Sequence, residues 1–297
     1  MAQPAPRPTE SADVVVVGGG NAGYCAAHAA ASRGRRVTLI ERAAAAEAGG
    51  NSFFTAGAIR MTHDGVDDLL DLVEPDERLA RTRVPPYSVQ QFRADMDRTT
   101  SGRCDPRLTG VLVAESAQAV RWLKTLGMSF RLMYERQAYQ RPDDSYLFWG
   151  GLAVGSAGGG KGLMATHQQI AVRLGVDVRY ERCAVALRRD GTGITGVHWA
   201  GPDGTSGLLD ANAVVLAAGG FEADASLRRE HLGEGWQNAK VRGTPLNDGR
   251  MLRAAVDVGA DLAGDWSTAH SVAWDAGAPP TGDRALTNQL TRQSYPL

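Results

Sequence analysis

The sequence predicts an α/β fold built around a mostly parallel sheet, and three observations carry that prediction. Residues 13–17 read DVVVV, a short β-branched run of the kind buried on both faces of a parallel sheet. GGGNAG and an Ala-rich helical stretch to about Gly34 follow, and then a second strand, RRVTLIE, ends on Glu41. Much later AVVLAAGGF (213–221) repeats the pattern of an apolar strand that stops on glycines. A chain of 297 residues is long enough for a large core and about two domains.

Between and after these strands the pattern is less regular. Residues 65–125 read as mostly helical, with Trp122, Leu123 and Leu126 on one apolar face that suits a core. Residues 141–160 read as loop, and a helix is expected from about Gly162 to Leu174, followed by the strand GVDVRY. Residues 183–209 alternate like a small antiparallel meander with turns at Asp190-Gly191 and Pro202-Asp203-Gly204. A charged helix after the 213–221 strand, the loop RGTPLNDG and an amphipathic helix to about Val258 complete the reading.

Composition excludes several functions. Net charge is -1, so no basic field speaks for nucleic acid. Residues 1–12 are Pro-rich and polar, which predicts a disordered leader and lacks the apolar core of a secretory signal. No apolar run approaches the roughly 18 residues of a membrane span. The three cysteines, Cys25, Cys104 and Cys183, are far apart and form no CxxC, which fits a reducing cytoplasm and neither a disulfide framework nor a zinc site. No His/Asp/Glu cluster has metal-ligand spacing.

Gly18, Gly20 and Gly23 form G-x-G-x-x-G between a strand and a helix, the Rossmann-type βαβ arrangement. In that arrangement the first glycine permits the tight turn, the second lets backbone approach a pyrophosphate, and the third lets helix and strand pack closely. The helix N-terminus offers unpaired N–H groups to the phosphates. Glu41 ends the second strand where an acid accepts hydrogen bonds from a ribose diol. At this point FAD and NAD are both open.

The segments GGNSFFTAGAIR (49–60), AVVLAAGGF and TPLNDGRML (244–252) extend the pattern. Together with the glycine turn they resemble the fumarate reductase/succinate dehydrogenase flavoprotein family, in its order and spacing, from about residue 13 to the C-terminus. GGGKGL, RGTPLNDG and GADLAGDWSTAHSVAWDAGAP are similar to FAD-dependent tricarballylate dehydrogenases within that family. The resemblance implies a Rossmann-like FAD-binding domain over 13–264, with a parallel sheet plus a small antiparallel meander. It also implies the beginning of an inserted α+β capping domain at 265–297, and a chain that reads as C-terminally incomplete.

The resemblance further implies roles for particular residues. Gly18, Gly20, Asn21, Ala22 and Gly23 would hold the pyrophosphate and Glu41 the adenosine ribose, with Arg42 a further cofactor-binding residue. Gly50, Asn51 and Ser52 would line the ribityl–flavin path, and Gly57 and Ala58 the reactive edge of the flavin. Ala184 or Val185 would meet adenine through main chain, and Ala218, Gly219 and Asp248 would add contacts. Asn51 stands where covalent flavoproteins of the family carry a histidine, so non-covalent FAD is expected.

For a polycarboxylate substrate, His270 matches the family's carboxylate-binding histidine, against the alternative of a surface or helix-capping role. Arg60, His63 and Lys161 would add positive charge, although Arg60 and His63 read equally well as solvated surface. The proton-transfer arginine of the family is expected beyond Leu297, which leaves no catalytic residue to name and a chain expected to be poorly active alone.

The implied reaction is FAD-dependent dehydrogenation of tricarballylate to cis-aconitate, with electrons passed to a partner such as a membrane iron–sulfur protein. Alternatives are a fumarate reductase-like or 3-ketosteroid dehydrogenase-like enzyme, an NAD dehydrogenase, and a dinucleotide-binding protein without catalysis. GSAGGGKG (155–162) imitates a P-loop, but Gly162 stands where a metal-binding Ser or Thr is required and the segment reads as following a loop. Cys25, on the phosphate-binding helix among alanines, reads as a buried inert thiol and Cys183 as ordinary packing.

Overall fold

The computed structural model describes residues 10–271 and 275–285. The chain divides into two compact units, Met1–Phe54 with His167–Arg284, and Thr55–Thr166 with Ala285–Leu297. The FAD-binding domain expected over 13–264 takes in parts of both units, residues 55–166 falling in the second. Of the leader, residues 1–9 lie outside the described residues, and residues 10–12 are already strand. Of the 265–297 segment expected to open a capping domain, the described part up to Arg284 clusters with the first unit, while 272–274 and 286–297 lie outside the described residues.

The first unit is built on a six-stranded sheet. In spatial order its strands are Cys183–Asp190, Gly193–Ala200, Ser206–Leu216, Glu10–Val17 (β1), Val37–Ile40 (β2) and Asp177–Arg179. β1 pairs in parallel with β2, Val14 opposite Val37 through Val17 opposite Ile40. On its other side β1 pairs in parallel with Ser206–Leu216, Val17 facing Leu216. The expected meander is present as the antiparallel ladders joining Cys183–Asp190, Gly193–Ala200 and Ser206–Leu216.

Helix α1 (Asn21–Ala31) connects β1 to β2 and turns Gly23, Tyr24, Ala27 and His28 inward. Val15, Leu209 and Val197 are fully buried in one apolar cluster, where each such side chain contributes about 1.5–3 kcal/mol. Met251 and Ala254 of the helix Arg250–Asp257 close on the same cluster from positions three apart, the expected amphipathic helix. The strand over 213–216 departs from expectation, since Leu216 is 39% exposed and Ala213 lies on the surface. Its valines therefore report β propensity and not burial on both faces.

The second unit holds two three-stranded sheets. Ala58–Ile59, Val154–Ser156 and Phe130–Leu132 form one; Thr82–Arg83, Tyr146–Phe148 and Ala138–Gln140 form the other. The reading of 65–125 as mostly helical holds for Val89–Thr100 and Pro106–Thr125. Ser88 and Gln91 cap the first of these reciprocally, and Asp105 with Pro106 starts the second. Leu123 is buried there, with Trp122 and Leu126 half-buried beside it. GSAGGGKG corrects one expectation: its first two residues end a short buried strand, Val154–Ser156, so it does not follow a loop. That strand is antiparallel to both neighbours, so the parallel strand–loop–helix frame of a nucleotide P-loop is missing.

Behind α1, the helix Gly159–Arg173 brings His167 against His28 inside the first unit. Burial pushes both imidazoles down, His28 to about 4 with Arg173 nearby and His167 to about 3 beside His28. In the unfolded chain both rings take up protons near the ordinary pKa of about 6.5, whereas in the fold they resist until the pH is much lower. The unfolded state thus binds more protons between these values, and stability falls as pH drops from about 6.5 toward 4, by up to ~1.4 kcal/mol per ring per pH unit. Urea midpoints measured at pH 7 and pH 5 should show the His28→Gln/His167→Gln variant losing less stability than the parent over that interval. Equal losses would remove the histidine pair as the source of acid sensitivity.

Candidate functional site

The parallel strands β1, β2 and Ser206–Leu216 end on the same side of the sheet, at Val17, Ile40 and Leu216. From β1 the chain proceeds to β2 on one side, while the later strand Ser206–Leu216 adds on the other. Open α/β sheets bind ligands at such a reversal of strand order, outside the carboxyl ends. A cleft lies there, lined by Val17–Ala22, Ile40–Arg42, Gly50–Ser52, Arg182–Ala184, Ala217–Gly220, Thr244 and Leu246–Met251.

The glycine turn has steric reasons for its composition. Gly18 has φ +106°, and a Cβ there would meet the Ala217 carbonyl oxygen at 2.4 Å. A Cβ on Gly23 would sit 1.8 Å from the Gly18 carbonyl oxygen, so only glycine lets α1 approach β1 this closely. Gly20 differs: its nearest protein atom to a built Cβ is Ser52 Oγ at 3.5 Å, an ordinary contact. Nothing in the fold itself demands glycine at position 20, which leaves close approach of a ligand as the reason for it.

The acid at the end of β2 is buried and turned into the turn. Glu41 Oε2 accepts from the Gly19 backbone N–H at 2.7 Å and Oε1 from the Ala43 N–H at 2.8 Å. Next to it, Arg42 donates to Asp248 Oδ2 at 2.9 Å and to the Leu246 carbonyl at 2.7 Å. Burial works against ionisation of Asp248, but the Arg250 backbone N–H and the Arg42 guanidinium outweigh it and hold the carboxyl below its usual range. Arg250 donates to Cys183 Sγ at 3.1 Å, so Cys183 does more than pack. Cys25 is half-buried, not buried as expected, and burial pushes its thiol up to about 11. All three cysteines are free, and among the described residues no His/Cys/Asp/Glu group could hold a metal.

Asn51 is pinned at both ends of its amide. Its Oδ1 accepts from the Thr244 N–H at 2.9 Å, and its Nδ2 donates to Glu222 Oε1. Glu222 Oε1 also accepts from Asn247 Nδ2 at 2.7 Å. Ser52 Oγ accepts from the Asn21 backbone N–H at 3.0 Å and ties the helix Gly50–Phe54 to the start of α1. Of the pair expected at adenine, Ala184 lines the cleft while Val185 is 39% exposed beside a bulge in its strand. Ala218, Gly219 and Asp248 line the cleft. Glu222, Asn247 and Thr244 escaped the sequence reading, and so did His167; each meets its partner across long stretches of chain.

The other expected residues are placed elsewhere. His270 is exposed in the first unit, after the helix Arg250–Asp257, and is not among the side chains lining the cleft. Gly57, Ala58, Arg60, His63 and Lys161 belong to the second unit. There the Gly57 carbonyl accepts from Ser156 N–H at 2.9 Å, and Ala58 pairs with Gly155. Arg60 donates to Tyr87 Oη at 2.7 Å and pairs with Asp95 at 3.2 Å, a carboxylate it shares with Arg98 at 2.7 Å. His63 is 4% exposed, and burial pushes its imidazole below the ordinary value, which leaves a neutral ring and not the cation expected of it. Lys161 lies in the first turn of the helix Gly159–Arg173.

The family described as an FAD binding domain matches residues 13–275, most of the chain. The chain belongs to this family. It sits among the fumarate reductase/succinate dehydrogenase flavoproteins, and its cofactor is FAD. The glycine turn, the buried acid after β2 and the cleft at the strand reversal fit that group. The protein named "Probable fumarate reductase Ifc3" of Shewanella frigidimarina (strain NCIMB 400) is 27% identical over 274 residues, covering 89% of this chain and 41% of the relative. L-aspartate oxidase of Mycobacterium tuberculosis (strain ATCC 25618 / H37Rv) is 31% identical over 228 residues, covering 74% and 37%. The solved 3-ketosteroid-Δ4-(5α)-dehydrogenase of Rhodococcus jostii RHA1 superposes with a TM-score of 0.66 at 23% identity, covering 88% of this chain and 57% of that one. At that identity the likeness carries the fold alone. The chain spans about two fifths of the length of these two curated relatives.

Two glycine substitutions separate folding from binding. Gly23→Ala should cost about 1–3 kcal/mol of stability in urea melts, because backbone must move to admit the methyl group. Gly20→Ala should stay within about 1 kcal/mol of the parent, the scale of a helix-cap change, yet bind FAD far more weakly in a fluorescence titration. Undiminished FAD binding by Gly20→Ala would show that no ligand backbone contact is made there.

Proposed function

We propose that this chain is the FAD-binding part of an enzyme that dehydrogenates a C–C bond in a polycarboxylic acid, tricarballylate to cis-aconitate being the best-matched reaction. The observation that carries this is the dinucleotide cleft itself, lined by Gly18 and Gly20 with Glu41 beside them, and with Gly23 packed behind against the Gly18 carbonyl. Two relatives point to acidic substrates, since their names carry fumarate and L-aspartate. The segments 158–163, 242–249 and 259–279, similar to tricarballylate dehydrogenases, support the finer choice. When bound, FAD supplies a two-electron acceptor for a hydride leaving a carbon beside a carboxylate. The chain's own residues hold and orient that group.

Asn51 stands where covalent relatives carry histidine, and both ends of its amide are engaged by Glu222 and Thr244. An amide so placed has no nucleophilic ring nitrogen to offer, which supports non-covalent FAD. For the substrate, His270 is the exposed candidate, whereas Arg60 is tied to Tyr87 and Asp95 and His63 is buried and neutral. A substrate with several carboxylates needs directed donors in a water-poor site, and His270 is the first unit's candidate for that contact, Lys161 a candidate in the second. Electron transfer to an iron–sulfur protein completes the proposal, and the three free cysteines suit a reducing compartment such as the cytoplasm. Among the described residues no helix is long and apolar enough to cross a membrane.

The test is anaerobic titration of the FAD-loaded protein. The purified chain should carry or take up FAD that is released intact by acid or heat, and in the complete enzyme tricarballylate should bleach the flavin absorbance. Bleaching by succinate or L-aspartate alone would reassign the substrate, and bleaching by a 3-ketosteroid alone would overturn the polycarboxylate reading.

A further inference from the structure

The cleft has a buried backing that the FAD reading does not use. Asn21, the first residue of α1, is exposed in the cleft, and its Oδ1 meets His167 Nε2 at 2.8 Å. The other ring nitrogen, His167 Nδ1, meets His28 Nε2 at 3.1 Å. His28 Nδ1 ends the chain of contacts, buried and without a partner. Both histidines are fully buried, and Tyr24 stacks on His167 with ring centroids 5.4 Å apart and planes 9° apart.

A chain of two neutral imidazoles and one amide can be polarised in only two directions. In one, the Asn21 amide nitrogen donates to His167, and the final proton sits on His28 Nδ1 as a buried N–H with nothing to receive it. In the other, His167 Nε2–H donates to Asn21 Oδ1, His28 Nε2–H donates to His167 Nδ1, and His28 Nδ1 is left as a bare lone pair. A buried donor without an acceptor is the rarer and costlier defect, so the second direction wins. The Cys25 thiol, a donor, faces the same Asn21 oxygen at 3.9 Å and agrees with it.

We propose that His167, held in one tautomer by His28, orients the Asn21 side chain so that its amide nitrogen faces the cleft and donates to the diphosphate of the bound cofactor. The proposal rests on the FAD reading of the cleft. Asn21 Nδ2 has no protein partner among the described residues, so its two N–H groups are directed at the ligand by elimination. His167 and His28 act through Asn21 and are positioning residues. The neutral state of both rings is part of the device, since a protonated pair would place two like charges side by side.

The test is a double-mutant cycle on the full 297-residue chain, read as FAD affinity by flavin fluorescence and as ADP affinity by calorimetry. His167→Phe keeps the stack on Tyr24 and removes the donor; it should weaken FAD and ADP about tenfold, the worth of one hydrogen bond to a charged group. His167→Gln, which returns an N–H near the Nε2 position, should recover most of that loss. Asn21→Ala should lose a similar factor, and adding His167→Phe to it should cost nothing more. Asn21→Asp keeps the oxygen that His167 needs but turns a negative oxygen on the diphosphate, so it should bind more weakly than Asn21→Ala. Asn21 is exposed, so its variants fold whatever befalls those of His167. FAD binding by Asn21→Ala equal to the parent, Asn21→Asp equal to Asn21→Ala, or independent losses in the double variant would each overturn the proposal. A parent chain that binds no FAD would instead overturn the cofactor reading beneath it.

Discussion

The contact between Gly23 and the Gly18 carbonyl oxygen is the constraint on which the first unit depends. With only hydrogen at position 23, α1 settles against the end of β1, where a Cβ would have stood 1.8 Å from that oxygen. The approach fixes where the helix begins. It sets the unpaired N–H groups of the first turn at the carboxyl ends of the parallel strands, beside the point where strand order reverses. Gly18 performs the matching service toward Ala217, so β1, α1 and the strand Ser206–Leu216 converge within one turn of chain.

Around that point most polar groups are already committed to one another. Glu41 clamps the Gly19 and Ala43 N–H groups, Arg42 holds Asp248, and Glu222 gathers Asn51 and Asn247. These pairings fix side chains before any ligand arrives, which is how a site avoids spending binding energy on its own ordering. They also explain why residues from 18 to 250 in sequence form one wall. The segment 49–52 is fastened to 244 through Asn51, and to α1 through Ser52.

How much of this was legible in the sequence follows from the range of each interaction. The βαβ unit could be read because strand, glycine turn, helix and acid lie within 13–41 and each carries a local signature. The meander could be read because alternation and Asp-Gly turns are local too. The strands of the second unit could not, since pieces two or three residues long, such as Ala58–Ile59 and Thr82–Arg83, are too short to show a period. Glu222 and His167 were invisible for another reason. Their partners Asn51 and Asn21 stand 171 and 146 residues away, and nothing local distinguishes them from surface polar residues. His63 stood open between a positive charge and a surface residue because charge depends on burial, and a single histidine in sequence does not reveal its depth.

The same pairings decide how the cleft meets an anion. Its arginines are occupied: Arg42 by Asp248, Arg250 by Asp248 and Cys183, and Arg182 over the ring of Trp199 at 4.5 Å. At the glycine turn itself, backbone N–H groups, the dipole of α1 and neutral side-chain donors are what meets a diphosphate. Directed neutral donors discriminate by geometry, where a mobile cation would accept any nearby phosphate. A cleft of that kind gains from each donor held in place, and it gives the buried pair behind α1 a reason to exist. Two histidines kept neutral by burial can set the direction of an amide without adding a charge of their own.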